Sequence, residues 1–134
     1  MAPRTVRRRA DAMLAALGLE HAELSVVLCD DATIAAHNAA FRGEDRPTDV
    51  LSFPLTTEPP AAPLPGGPPV LLGDVFISLP TAARQARDGL GCEVTRLLAH
   101  GLLHCVGWDH DTSARRARMD RETDRLVTAA SPRR

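Results

Sequence analysis

The stretch HGLLHCVGWDH, His100 to His110, decides how this chain is read. On an α-helix of 3.6 residues per turn, a four-residue step turns about 400° and sets two side chains roughly 6 Å apart on one face. His100 and His104 can therefore reach one metal ion together. Gly107 lets the chain leave the helix and fold back, because glycine takes a left-handed C-cap without steric cost. The reversal brings His110 towards the same ion as a third ligand. Three neutral imidazoles with one position left for water describe a catalytic Zn²⁺ site rather than a closed structural one. Zincin peptidases with the same first two histidines use H-E-x-x-H, the glutamate being the general base. Gly101 stands in that place, so the pattern points to metal-assisted hydrolysis and away from peptide hydrolysis.

Around this stretch the spacing predicts a helix from about Cys92 to Val106, with Val94, Leu97, Leu98, Leu102 and Cys105 as its buried stripe. Cys105 follows His104 directly, and adjacent helix positions diverge by about 100°, so its thiol is expected in the core rather than on a metal. Glu93 lies two turns before His100, about 10 Å along the axis, too far to share the ion; there it complements the helix N-terminus. Thr112 or Ser113 caps a last helix that turns Met119, Leu126 and Val127 inward.

Upstream, Val6, Ala10, Met13, Leu14 and Leu17 share a face of a helix from about Arg4 to Leu17, ended by Gly18. Arg7, Arg8 and Arg9 lie around its exposed side. Leu24 to Cys29 reads as a strand covered on both faces. Asp30 or Asp31 caps a helix that buries Ile34 and runs to about Phe41. A polar loop then enters a strand at Val50 to Phe53. Residues 58–69, EPPAAPLPGGPP, form an exposed Pro/Gly-rich loop. Val70 to Leu79 is the next strand, and Pro80 opens a short helix ending near Gly89 and Gly91. His21 and His37 fall outside these patterns and are expected at the surface.

The 134 residues are expected to form one α+β domain, a small mixed sheet of three to four strands packed with about five helices, one of them zincin-like. A hydrophobic content of 44% and a net charge of −1 describe an ordinary globule, with no apolar run of membrane-spanning length. The near-neutral balance leaves nucleic-acid contact to a local patch. The N-terminal MAPRTVRRRADAMLAAL is broken by Asp11 and reads as an amphipathic helix, not an export signal. Three cysteines without repeated spacing fit a reducing cytoplasm.

HGLLHCVGWDH resembles the HGxLHxxGxDH motif of the YbeY family, bacterial metal-dependent endoribonucleases of rRNA maturation. Asn38 followed by FRGEDRPTDVLSFP is similar to a second pattern of that family, N-x-x-[FY]-R-G-x-D-x-P-T-[DN]-V-L-S-F-P. Between the two, Gly73 to Ser78 (GDVFIS), Gln85-Ala86 and Glu93 match further family positions, and the likeness covers roughly Leu24 to Glu122. Trp108 departs from a common tyrosine, Cys105 from a common leucine, and the stretch from Glu58 is unusually rich in proline. The family usually places a strand before the first helix, so a sheet of three strands is expected here where relatives have four.

The resemblance implies that His100, His104 and His110 bind zinc and that Arg42 is a functional arginine beside it. A guanidinium fork suits the charge that grows on phosphoryl oxygens during phosphodiester cleavage. Arg46 is a weaker candidate for holding substrate. Asp109 either orients the His110 ring or steadies the turn. The implied activity is hydrolysis of single-stranded RNA, in 16S rRNA 3′ end maturation and ribosome quality control. Implied partners are rRNA and the ribosome or small-subunit factors, with no membrane and no DNA. The nucleophile is either water on zinc, whose pKa the metal brings towards ~7, or a ribose 2′-OH. Three phenylalanines, one tryptophan and no tyrosine suggest no stacking platform, so a shallow basic cleft is the expected RNA surface. The rival readings are a metallopeptidase-like hydrolase and a non-catalytic ribosome-assembly module with structural zinc.

Overall fold

The computed structural model describes residues 1–55 and 67–131. The chain runs α1 (Pro3–Ala16), β1 (Ala22–Cys29), α2 (Asp31–Arg42), β2 (Val50–Pro54), β3 (Val70–Ser78), α3 (Leu79–Gln85), α4 (Leu90–Cys105) and α5 (Ser113–Ala130). The expected Pro/Gly-rich loop lies outside the described residues except for Gly67, Pro68 and Pro69, which are exposed.

Local chemistry sets the boundaries. The Asp30 carboxylate accepts from the backbone N–H of Thr33 at 2.8 Å and starts α2, and Gly43, at φ 70°, ends it in the left-handed conformation. Thr112 starts α5 in the same way, its Oγ1 accepting from the N–H of Arg115 at 3.1 Å. Asp31, in the first turn of α2, accepts from Ser78 Oγ and Thr81 Oγ1, both at 2.6 Å, and from Arg84 at 2.8 Å. These donors hold its carboxyl down at about 2 and tie α2 to the start of α3.

The sheet has three strands in the order β1-β3-β2. β3 is central, parallel to β1 and antiparallel to β2, with Ser52 facing Val75 and Leu51 facing Phe76. Residues opposite one another share a face of the sheet. Ser52 and Val75 look towards α4, where the Ser52 hydroxyl donates to the Gly101 carbonyl at 3.2 Å. Leu51 and Phe76 look the other way, towards α2. The main core lies on the α4 side. Val94, Leu98, Leu102 and Leu103 of α4 meet Leu72, Val75 and Ile77 of β3, with Met13 and Leu14 of α1 and Met119 and Leu126 of α5 closing around them. Burying each such aliphatic side chain contributes about 1.5–3 kcal/mol.

Gly101 is where α4 comes nearest the sheet. A Cβ there would sit 2.6 Å from Val75 Cγ1 and 3.2 Å from Ser52 Oγ. The helix thus rests backbone-first on β2 and β3, and a glutamate at 101 would have no room. The buried stripe expected for α4 is present, and Cys105 is among the buried residues. Among the described residues, no helix is long and apolar enough to cross a membrane.

Candidate metal centre

The last turn of α4 ends with the Trp108 N–H bonding the Leu103 carbonyl at 2.9 Å and the Gly107 N–H bonding the His104 carbonyl at 3.2 Å. Gly107, at φ 100°, takes the reversal that a side chain would resist. The chain returns past the end of the helix and delivers His110 to the two helical histidines. His100, His104 and His110 each offer a ring nitrogen, and these atoms all lie within 4.8 Å of one another. The ring centroids are 4.7, 5.0 and 5.5 Å apart. His100 Nε2 and His104 Nε2 are separated by 3.1 Å. Two nitrogens each about 2.1 Å from a tetrahedral Zn²⁺ lie about 3.4 Å apart, so the pair fits such an ion with little adjustment.

The protonation states suit metal binding. His104 Nδ1 lies 3.0 Å from the Trp108 carbonyl. A carbonyl only accepts, so the proton sits on Nδ1 and the Nε2 lone pair faces its neighbours. Burial, then the charges of His104 and His110, push His100 down to about 4. Burial and His110 lower His104 as well, with the Arg42 guanidinium acting in the same direction. Both rings are neutral at pH 7, as a metal requires.

A cavity of about 320 Å³ opens beside the histidines, lined by Asp49, Arg96, His100, His110, Arg116 and Asp120. A larger groove of about 730 Å³ between α1 and β1 lies away from them and is lined by none of the three. The Asp49 wall is fixed by a relay: Gln85 Nε2 donates to Asp49 Oδ2 at 2.9 Å and to Glu93 Oε2 at 2.7 Å. Glu93 does sit in the first turn of α4, but it also braces the loop through Gln85. Sequence singled out Gln85 and Glu93 and gave neither this role.

Arg42 is the exposed last residue of α2, close enough for its charge to act on His104. Arg46 is also exposed and pairs with Glu44 at 3.2 Å. The loop between them is held by Asn38, 3% exposed, whose amide donates to the Arg46 carbonyl at 2.9 Å. The Asp109 carboxylate accepts from the backbone N–H of His110 at 2.7 Å. The Cys105 thiol is pushed up to about 11, chiefly by burial, and stays protonated.

His21 and His37, both expected at the surface, are half-buried, and the His37 ring lies 4.5 Å from that of Phe76. Phe41, Phe53 and Phe76 converge from α2, β2 and β3 into one cluster with His37, a grouping the sequence did not foreshadow. His37 and Phe41 are one helical turn apart, but Phe53 and Phe76 are distant in sequence, and only the packing of α2 on the sheet brings the four rings together.

A family model described as endoribonuclease YbeY matches residues 2–131. Curated proteins of that description include one from Anaeromyxobacter sp. strain Fw109-5, 52% identical over 131 residues, covering 96% of this chain and 65% of the relative. One from Anaeromyxobacter dehalogenans is 51% identical over 127 residues, covering 92% and 62%. A third, from Moorella thermoacetica, is 44% identical over 137 residues, covering 97% and 87%. The chain thus spans a little under two thirds of the length of the two Anaeromyxobacter relatives. A solution structure of a Thermotoga maritima protein superposes with a TM-score of 0.64 at 23% identity, covering 95% of this chain and 79% of that one. At that identity the likeness is one of fold.

Proposed function

The chain belongs to the endoribonuclease YbeY family, and from that premise we propose that it is a metal-dependent endoribonuclease cutting single-stranded RNA. The observation that carries this reading is the convergence of three imidazoles on one centre beside an open cavity. His100, His104 and His110 would hold one zinc ion. When bound, zinc supplies Lewis acidity and a water of pKa near ~7, which the site needs because no glutamate follows His100.

The remaining work falls to side chains of this chain. His104 keeps its proton on Nδ1 through the Trp108 carbonyl and so keeps its ring fixed. Arg42 binds the phosphoryl oxygens on which negative charge grows, a role worth most if it tightens in the transition state. Arg46 contributes to a flanking phosphate by exchanging Glu44 for it. Asp109 steadies the turn that carries His110. The natural substrate proposed is rRNA, in maturation of the 16S 3′ end and ribosome quality control, in the cytoplasm and with ribosomal small-subunit factors as partners.

The test combines metal analysis of purified protein with cleavage of a defined single-stranded RNA, with and without chelator. One zinc per chain and chelator-sensitive cleavage are expected. His104→Ala should lose both while keeping its helical circular dichroism. Unchanged RNA cleavage by folded His104→Ala refutes the catalytic reading. Cyclic phosphate at the product ends identifies 2′-OH attack. Chelator-sensitive cleavage of casein would restore the peptidase alternative, against which the packing of Gly101 weighs.

A further inference from the structure

Among the described residues Phe41 is the most exposed of the large hydrophobic side chains, at 68%, yet its ring is not loose. It meets Phe53 edge-on with centroids 5.2 Å apart at 62°. Phe53 in turn meets Phe76 at 5.6 Å and 88°, and Phe76 lies 4.5 Å from His37. His37 lies 6.2 Å from Phe41 and within 23° of parallel to it. All three phenylalanines of the chain are spent on this cluster. The outermost ring is thus braced by its neighbours while most of its area is left to water. That area stays in water in both the folded and the unfolded chain, so it contributes nothing to folding.

Position narrows what such a ring would meet. Phe41 adjoins Arg42 in the last turn of α2, and the Arg42 charge acts on His104. Phe53 follows Ser52 in β2, and because successive strand residues face opposite sides, its ring joins Phe76 on the α2 face while Ser52 turns to Gly101 of α4. Phe41 thus stands at the end of α2 beside a guanidinium whose charge reaches His104 of the candidate metal centre. A single nucleic-acid strand presents matching groups in sequence, a base beside its phosphate. Any base has a π-face for the ring, and any phosphate has oxygens for the fork.

We propose that Phe41 is a stacking platform that holds a nucleobase next to the phosphate bound by Arg42, and so registers single-stranded RNA on the centre. This rests on the endoribonuclease reading. A base pairs with the ring only when unstacked from its own neighbours, so the platform selects single strands over duplex. It is indifferent to base identity, since stacking reads no hydrogen-bonding edge.

The test uses the zinc-loaded full chain and single-stranded RNA oligonucleotides carrying one abasic nucleotide, moved stepwise along the strand. With the unmodified chain, KM should rise about tenfold when the abasic position falls on the ring, within the range that loss of one stacked base produces. Phe41→Ala should raise KM for intact RNA by a similar factor, leave kcat and zinc content near the unmodified values, and be insensitive to the abasic position. Phe41→Trp should restore binding, and Phe41→Leu, which keeps apolar bulk without a π-face, should not. Equal KM for Phe41→Ala and the unmodified chain overturns the proposal, as does full recovery with Phe41→Leu, which would mark a protein-docking contact. Failure of the unmodified chain to cleave RNA at all would instead sink the endoribonuclease reading beneath it.

Discussion

Replacing Gly101 by alanine adds one methyl group at the closest approach of α4 to the sheet. The new Cβ would lie 2.6 and 3.1 Å from the two Val75 methyls and 3.2 Å from Ser52 Oγ. Carbon atoms in contact prefer about 3.5–4.0 Å, so helix and strand must part by about 1 Å. Val75 is β-branched and fully buried, which leaves it little rotamer freedom to yield. Overpacking of this kind costs about 1–3 kcal/mol. Against it stands the gain of about 0.8–1.0 kcal/mol for alanine over glycine inside a helix. A net loss of about 1 kcal/mol is expected, a fall of roughly 0.3–1 M in the urea midpoint. Urea unfolding of the metal-free protein measures it.

The second arm of that experiment is Val75→Ala. Alone it removes two buried methyls and costs about 1–3 kcal/mol. In the Gly101→Ala background the same change relieves the clash, so it should cost at least ~1 kcal/mol less. His100 and His104 flank residue 101, so the separated helix should also bind metal more weakly, and Val75→Ala should recover part of that loss. Stabilisation by Gly101→Ala alone, or additivity of the two changes within ~0.5 kcal/mol, refutes the account of why a glycine stands there.

Arg42→Ala should cut turnover by about 10²–10³ while zinc content, read by elemental analysis, stays the same; joint loss would show that the two roles are not separable. Asp31 has a folded-state pKa of about 2, below its unfolded value near ~3.9. Its contribution to stability is therefore complete above pH ~4 and lost as the pH falls towards 2, and Asp31→Ala should flatten the fall of Tm over that range. His100 has a folded-state value of about 4 against ~6.5 unfolded, so between these limits the unfolded metal-free chain binds more protons. Metal-free protein should lose stability on acidification from pH 6.5 to 4, and His100→Gln should make that slope shallower. Asn38→Ala leaves the Arg46 carbonyl without its buried donor and should cost about 1–3 kcal/mol, with faster proteolysis in the 43–49 loop as its signature.

Much of the site was legible because its defining contacts are local. His100 and His104 are one helical turn apart, Gly107 ends that helix within three residues, and His110 follows within three more. The same holds for the Asp30 and Thr112 caps and for the α4 stripe, which short windows of sequence specify. The three-strand sheet was likewise within reach. What escaped the sequence are the contacts that tertiary register creates. Asn38 reaches the Arg46 backbone, Gln85 spans Asp49 and Glu93, and the Phe41 cluster joins three elements. Gly101 was read as a missing base, whereas its position is decided by a strand more than twenty residues upstream. Trp108 was noticed only as an unusual residue, although its carbonyl orients His104.

That tryptophan is the single one in the chain, and there is no tyrosine. Its indole, half-buried, hangs from the very peptide unit that His104 grips. Light absorbed near 295 nm therefore excites one chromophore at one known address. A change at His104 is carried to that indole through the shared peptide unit, so its emission is expected to shift when zinc is titrated in, an optical gauge that needs no dye and no label.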